Sequence, residues 1–322
     1  MEDLKLLSLK DVEEKEVEWL WKPYLPKGKL CVVHGDPGCG KTTLLVKLCA
    51  LLTKGSPLPF DEKEELLQPM NVIYQTAEDG YDDTIKPRFK QENGDESRFY
   101  FINDKIKILT LSDKRIEESI KRVNAGIMIL DPVQAYMGSG INSNNINEVR
   151  PVLKKLLDVA ERTGCTIVLV GHNNKNEGTT LASRLNGSID FLAAVRSSIA
   201  IRINPEDAEK RDVIQTKSSL APKGYIFNFL LKRDTGFEWG ELDNRTYDDL
   251  FQAPKDDTYR KKKEIAMAAI KALLSDGQKE SALLKSLVTE NFQIGDRIYE
   301  EAKKELNVQC YKKGKTWYSE LN

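Results

Sequence analysis

The chain has 322 residues, 40% hydrophobic and 31% charged, with a net charge of −1, enough for one large domain and a small one. This composition excludes a disordered or membrane-embedded chain and gives no global attraction to nucleic acid, so any such contact must come from local patches. Cys31, Cys39, Cys49, Cys165 and Cys310 form no C-x-x-C pair and have no histidine at metal-binding spacing, as expected in a reducing compartment.

Residues 1–27 read as an N-terminal extension. They begin acidic, with no basic stretch leading into an apolar core, and no apolar run in the chain nears the roughly 18 residues of a membrane span. A cytoplasmic location is the expectation. The extension closes with Trp19-Leu20-Trp21 and Pro23-Tyr24-Leu25-Pro26, whose tryptophans either pack against a nucleotide base or seal a domain edge.

Lys29–His34 is an apolar run of strand length, and residues 43–52 carry apolar side chains at helical spacing. Between them lies Gly35-Asp36-Pro37-Gly38-Cys39-Gly40-Lys41-Thr42, a G-x-x-x-x-G-K-[ST] motif followed by Thr43. Strand, glycine loop and helix N-terminus together make a phosphate cradle, in which backbone N–H groups and the helix dipole face the anion. Lys41 then reaches the β- and γ-phosphates, and the Thr42 hydroxyl is a ligand for Mg²⁺. The motif implies binding of ATP with Mg²⁺.

After a polar insertion over Lys54–Met70, Asn71–Thr76 reads as a strand ending in Ala77-Glu78-Asp79-Gly80. Arg98–Ile102 and Ile106–Leu111 look strand-like, and Ser112–Val123 helical. Gly126–Asp131 is a continuous apolar run ending in an acid, as a strand buried on both faces requires. A helix from about Asn147 to Arg162 leads to a second buried strand, Cys165–His172. The alternation predicts an α/β fold with a mostly parallel sheet. Beyond Ala200 it stops, and Ser198–Ile203, Asp212–Thr216 and Tyr225–Leu231 read as consecutive strands extending the sheet.

Residues 244–260 read as a linker. Residues 261–322 then carry amphipathic helices at Lys261–Leu274, Ser281–Thr289 and Asp296–Leu306, and a β-hairpin over residues 308–319 with Lys312, Lys313 and Lys315 at its turn. Three short helices and a hairpin predict a winged helix-turn-helix.

The acids complete the site. Asp131, ending a buried strand, suits the second Mg²⁺ position. Pro132 follows it, so the water-activating carboxylate has to come from elsewhere, and Glu78 is the candidate. If the strands ending near Glu78 and Asp131 flank the P-loop strand, Glu78 reaches a water near the γ-phosphate. His172-Asn173-Asn174 ends the next strand, where a neutral side chain suits a sensor of the γ-phosphate.

The ordered set Trp19-Leu20-Trp21, the P-loop, Thr76-Ala77-Glu78-Asp79, Ile129-Leu130-Asp131-Pro132, Gly171-His172-Asn173-Asn174-Lys175, Gly187-Ser188-Ile189-Asp190 with Ala194-Val195-Arg196, and Thr216-Lys217-Ser218-Ser219 resembles the RecA-like ATPases, most closely the RepA-type hexameric helicase ATPases of mobile elements. The resemblance covers about residues 20–235 and implies a RecA-like ATPase domain over 28–243. It implies Glu78 as catalytic base, His172 as the residue coupling hydrolysis to movement, and Arg196 or Lys217 as the group completing a neighbouring subunit's site. Ser219 stands where replicative hexamers place an arginine. A salt-bridge role for Arg196 stays open beside this.

In such rings the loops after Asp131 and His172 line a central channel. Here they are residues 137–145 and 175–186, with Lys175 and Arg184 for single-stranded DNA and Tyr136 as the lone aromatic at their edge. The winged helix would bind duplex DNA through residues 296–306, although residues 255–322 carry a net charge of only about +3 and acids share that helix. The resemblance implies a Mg²⁺-dependent ATPase acting on DNA, a ring-forming hexameric replicative helicase or helicase-like motor of a plasmid, phage or integrative element. The alternatives are an ATP-switched DNA-binding adaptor that oligomerises without unwinding, and a recombination mediator.

Overall fold

The computed structural model describes residues 6–61, 67–138, 141, 145–174, 181, 189–252, 257–314 and 316–321. The chain divides into two compact units, residues 1–247 and 248–322.

In the first unit, β1 (Trp19–Trp21) and β2 (Leu25–Pro26) form a small hairpin. Then come β3 (Leu30–Gly35), α1 (Lys41–Lys54), β4 (Asn71–Thr76), α2 (Lys86–Gln91), β5 (Phe99–Tyr100), α3 (Arg115–Val123), β6 (Ala125–Asp131), α4 (Ile146–Thr163) and β7 (Thr166–His172). Helix α5 (Ile189–Ala194) precedes four strands: β8 (Ser197–Ile203), β9 (Lys210–Ser218), β10 (Ile226–Lys232) and β11 (Gly236–Asp243).

Among the described residues these strands make one nine-stranded sheet in the order β11-β10-β9-β8-β3-β7-β6-β4-β5. From β8 through β5 neighbouring strands run parallel; β8 to β11 alternate in direction. The parallel strands are apolar on both faces because both are covered. One face carries Leu44, Leu45 and Leu48 of α1 against Val33, Tyr74 and Ile129, and the other carries Val149, Leu153 and Leu156 of α4 against Val32, Met128 and Leu169. Helix α4 presents these apolar residues at spacings of three and four, the stripe an amphipathic helix needs to cover a sheet.

Several expectations are corrected. The strand predicted over 98–102 shrinks to two residues, and 106–111 is irregular. There the Arg115 guanidinium bonds the carbonyls of Lys107 and Ile108 while pairing with Asp113, so a side chain supplies the partners a strand ladder would have given. Of the two readings of the tryptophans, the sealing one holds for Trp21, which is buried against Tyr24, Phe227 and Trp239 and donates Nε1–H to the Pro59 carbonyl at 2.8 Å. Strand β11 was not foreseen. Its Phe237 and Trp239 complete the aromatic cluster, but the strand carries few other apolar side chains.

Helix α6 (Tyr247–Gln252) is followed, in the second unit, by α7 (Asp257–Leu274), β12 (Lys279–Glu280), α8 (Ser281–Asn291), α9 (Asp296–Glu305), β13 (Gln309–Lys313) and β14 (Thr316–Glu320). The strands form an antiparallel sheet in the order β12-β14-β13, and Ala266, Ile270, Leu284, Val288, Tyr299 and Ala302 make a core of their own. Helix α6 and the first turn of α7 occupy part of the stretch read as a linker.

Candidate functional site

Every polar residue singled out around the P-loop lies at the C-terminal edge of the parallel strands, where helix N-termini and strand ends converge. The P-loop leaves β3 at Gly35 and enters α1 at Lys41. Gly40 caps the helix with φ +92°, a left-handed conformation that favours glycine, and a Cβ there would crowd Leu231 and Phe229 at about 3.1 Å. Gly35 has no room for a side chain at all: a Cβ would lie 2.3 Å from the Ile201 carbonyl oxygen.

Lys41 is buried and folds back over the loop, donating from Nζ to the carbonyls of Gly35 at 3.0 Å and Asp36 at 2.9 Å. The Thr42 hydroxyl donates to Asp131 Oδ2 at 3.0 Å, and the same oxygen accepts from the Tyr74 hydroxyl at 2.7 Å. Burial pushes the Asp131 carboxyl up, while these two hydroxyl donors and nearby Lys41 act to lower it. One carboxylate beside one hydroxyl at the mouth of a phosphate cradle fits Mg²⁺, which binds hard oxygens and draws the rest of its shell from phosphates and water. Thr42 and Asp131 are the residues that would hold it.

Neither β4 nor β6 flanks the P-loop strand: β7 and β8 do, so the arrangement expected for Glu78 is corrected. Glu78 still points back toward the centre. The Ala77 N–H donates to the Asp131 carbonyl at 3.0 Å, and Thr76 Oγ1 accepts from the N–H groups of Glu78 and Asp79 at 3.3 and 3.0 Å. This hydroxyl-capped turn brings Glu78 Oε1 to 3.6 Å from His172 Nε2, across the tip of β6. His172 Nδ1 is buried and has no hydrogen-bond partner among the described residues.

The structure separates the two basic candidates. Lys217 Nζ donates to the carbonyls of Leu192 and Ala193 at the end of α5, and burial lowers its pKa, helped by neighbouring Arg196. Arg196 is exposed, with no ion pair among the described residues. Tyr136 is buried and cannot stack on a base, which corrects the reading of it as an aromatic at a channel edge. Most of the two predicted channel loops, including Lys175 and Arg184, and the wing residue Lys315 lie outside the described residues.

Sequence reasoning missed Tyr74, His34 and the contacts of Asn173. Tyr74 sits in a strand buried on both faces, where a tyrosine reads as packing, and only the pairing of β4 with β6 brings its hydroxyl to Asp131. His34 and Asn173 end neighbouring strands, and the signal for them was strand order, which the sequence does not carry.

The sheet, P-loop and paired acid define a P-loop fold of the RecA-like kind. The solved ATPase domain of G40P shares the fold, with a TM-score of 0.51 and 12% identity over 67% of this chain and 86% of that one. The family profile described as AAA domain matches residues 2–178, more than half of the chain, and the chain belongs to that family. It is similar to the DNA repair protein RadA of Bacillus subtilis, 28% identical over 49% of this chain and 31% of the relative, and to RadA of Halalkalibacterium halodurans, 29% identical over 56% and 36%. The chain thus spans about a third of the length of these relatives. Among the described residues no helix is long and apolar enough to cross a membrane.

Proposed function

We propose that the protein is a Mg²⁺-dependent ATPase that assembles into a ring, in the manner of RepA-type hexamers, and acts on DNA. The observation that carries the reading is the convergence of Lys41, Thr42, Asp131, Glu78 and His172 at one sheet edge, with Glu78 and His172 3.6 Å apart and Thr42 and Asp131 at 3.0 Å. Lys41 leaves its loop carbonyls to meet the β- and γ-phosphates, and the loop N–H groups from Gly38 to Thr43 cradle their oxygens. Glu78 orients and deprotonates the attacking water. Mg²⁺, when bound, offsets charge on the phosphates. His172, beside Glu78, senses whether the γ-phosphate is present.

Arg196 is the better candidate to complete a neighbouring subunit's site. Its side chain is exposed, whereas Lys217 is engaged by the end of α5. A DNA role rests on the RadA relatives, which are DNA repair proteins, and a winged-helix reading of the second unit rests on its three helices and three-stranded sheet. Exposed Lys312 and Lys313 on β13 suit phosphate contacts. A second reading, an ATP-switched adaptor whose second unit docks protein, is favoured by α9, where Arg297 is already paired with Glu301 at 3.1 Å.

Mass measurement with a non-hydrolysable ATP analogue, with and without a single-stranded oligonucleotide, tests the reading. A closed oligomer that binds the oligonucleotide supports the ring; a monomer under all conditions rejects it. Nucleotide-dependent assembly without binding or unwinding of DNA selects the adaptor.

A further inference from the structure

Asn173 follows His172 at the tip of β7 and is tied to the P-loop segment in three places. Its backbone N–H donates to the Gly35 carbonyl at 3.3 Å, its amide nitrogen donates to Asp36 Oδ1 at 3.1 Å, and its amide oxygen lies 2.8 Å from His34 Nδ1. The direction of this chain follows from the donors available. A carboxylate accepts, so the Asn173 NH₂ turns to Asp36 and its oxygen to His34. His34 Nδ1 must then carry the ring proton. Its Nε2 becomes a bare lone pair, and that atom is buried without a hydrogen-bond partner among the described residues. Burial also lowers the His34 pKa, which keeps the ring neutral.

The Gly35 carbonyl has a second donor, Lys41 Nζ at 3.0 Å. The phosphate-binding lysine and the tip of β7 therefore share one acceptor. Strand pairing places Gly35 opposite His172, so the residue bound to the P-loop is the immediate neighbour of the one that approaches Glu78.

We propose that Asn173 is a positioning residue that fixes the tip of β7 to the opening of the P-loop, so that His172 and Glu78 keep a set place relative to phosphates held there. The catalytic part of this inference rests on the ATPase reading above. The hydrogen-bond chain itself does not. Loss of the tie lets the two strand tips shift independently, and displacements near 1 Å cost up to about a hundredfold in rate.

Two measurements test it. The chain contains only two histidines, His34 and His172. Ring ¹⁵N spectra of the histidine-labelled, nucleotide-free protein, assigned with His172→Gln, should show His34 protonated at Nδ1; protonation at Nε2 overturns the proposal. This result needs no turnover and is read separately from any failure of the ATPase assignment. In the second, Asn173→Asp sets a carboxylate against Asp36 and should lower kcat about tenfold or more, with KM for ATP within about threefold. Adding Asp36→Asn reverses the donor and acceptor across the pair while leaving an oxygen for His34, and should recover most of the loss. Undiminished kcat in Asn173→Asp, or no recovery in the double variant, overturns the proposal.

Discussion

The parallel and antiparallel halves belong to one sheet but do different things. The parallel strands β3, β7, β6 and β4 each end in a polar group aimed at the P-loop: the loop itself, His172, Asp131 and the turn holding Glu78. The antiparallel strands end in ordinary turns, and their inward residues form an aromatic cluster: Phe227 and Trp239 pack against Trp21, Phe227 also against Tyr24, and Phe229 stacks on Phe237. Parallel strands bring all their C-terminal ends to one edge, where helix N-termini also gather; alternating strands divide their ends between two edges. Chemistry is concentrated where direction is shared.

If this division is right, substitutions in the two halves should fail differently. Lys41→Ala should lower ATP turnover about a thousandfold or more in a steady-state assay, because it removes the positive charge buried under the loop. Phe227→Ala should lower the unfolding free energy by about 3–5 kcal/mol in denaturant titration while leaving KM for ATP nearly unchanged in the remaining folded protein. A large change in KM would break the comparison. Arg196→Ala should lower turnover at least tenfold under conditions of assembly, and Lys217→Ala much less. The effect expected of Lys217→Ala is instead a loss of roughly 0.5–1 kcal/mol of stability, since its ammonium sits on the carbonyl end of α5.

Much of this was legible in the sequence, unevenly. The P-loop and Asp131 could be read because a local motif and a buried strand ending in an acid each have one physical meaning. Glu78 is proposed by elimination, from Pro132, but the strand order expected for it is not the one observed: β7 lies between the P-loop strand and β6, and a capped turn, not strand adjacency, brings Glu78 back toward the centre. Strand order is a long-range property that no local pattern encodes. The same limit hid Tyr74, His34 and the contacts of Asn173. For residues 106–111 a strand pattern lost to a single arginine that took over the carbonyls. In the antiparallel half three strands were anticipated from their apolar runs, while β11, mostly polar or half-exposed at the sheet edge, was not.

The most direct test of the central claim is ATP turnover by Glu78→Gln beside the wild type, with bound nucleotide identified after rapid gel filtration. The variant should lose about a hundredfold in kcat and retain unhydrolysed ATP, because the cradle, Lys41 and Asp131 are intact while the proposed base is gone. Turnover at the wild-type rate would contradict the account.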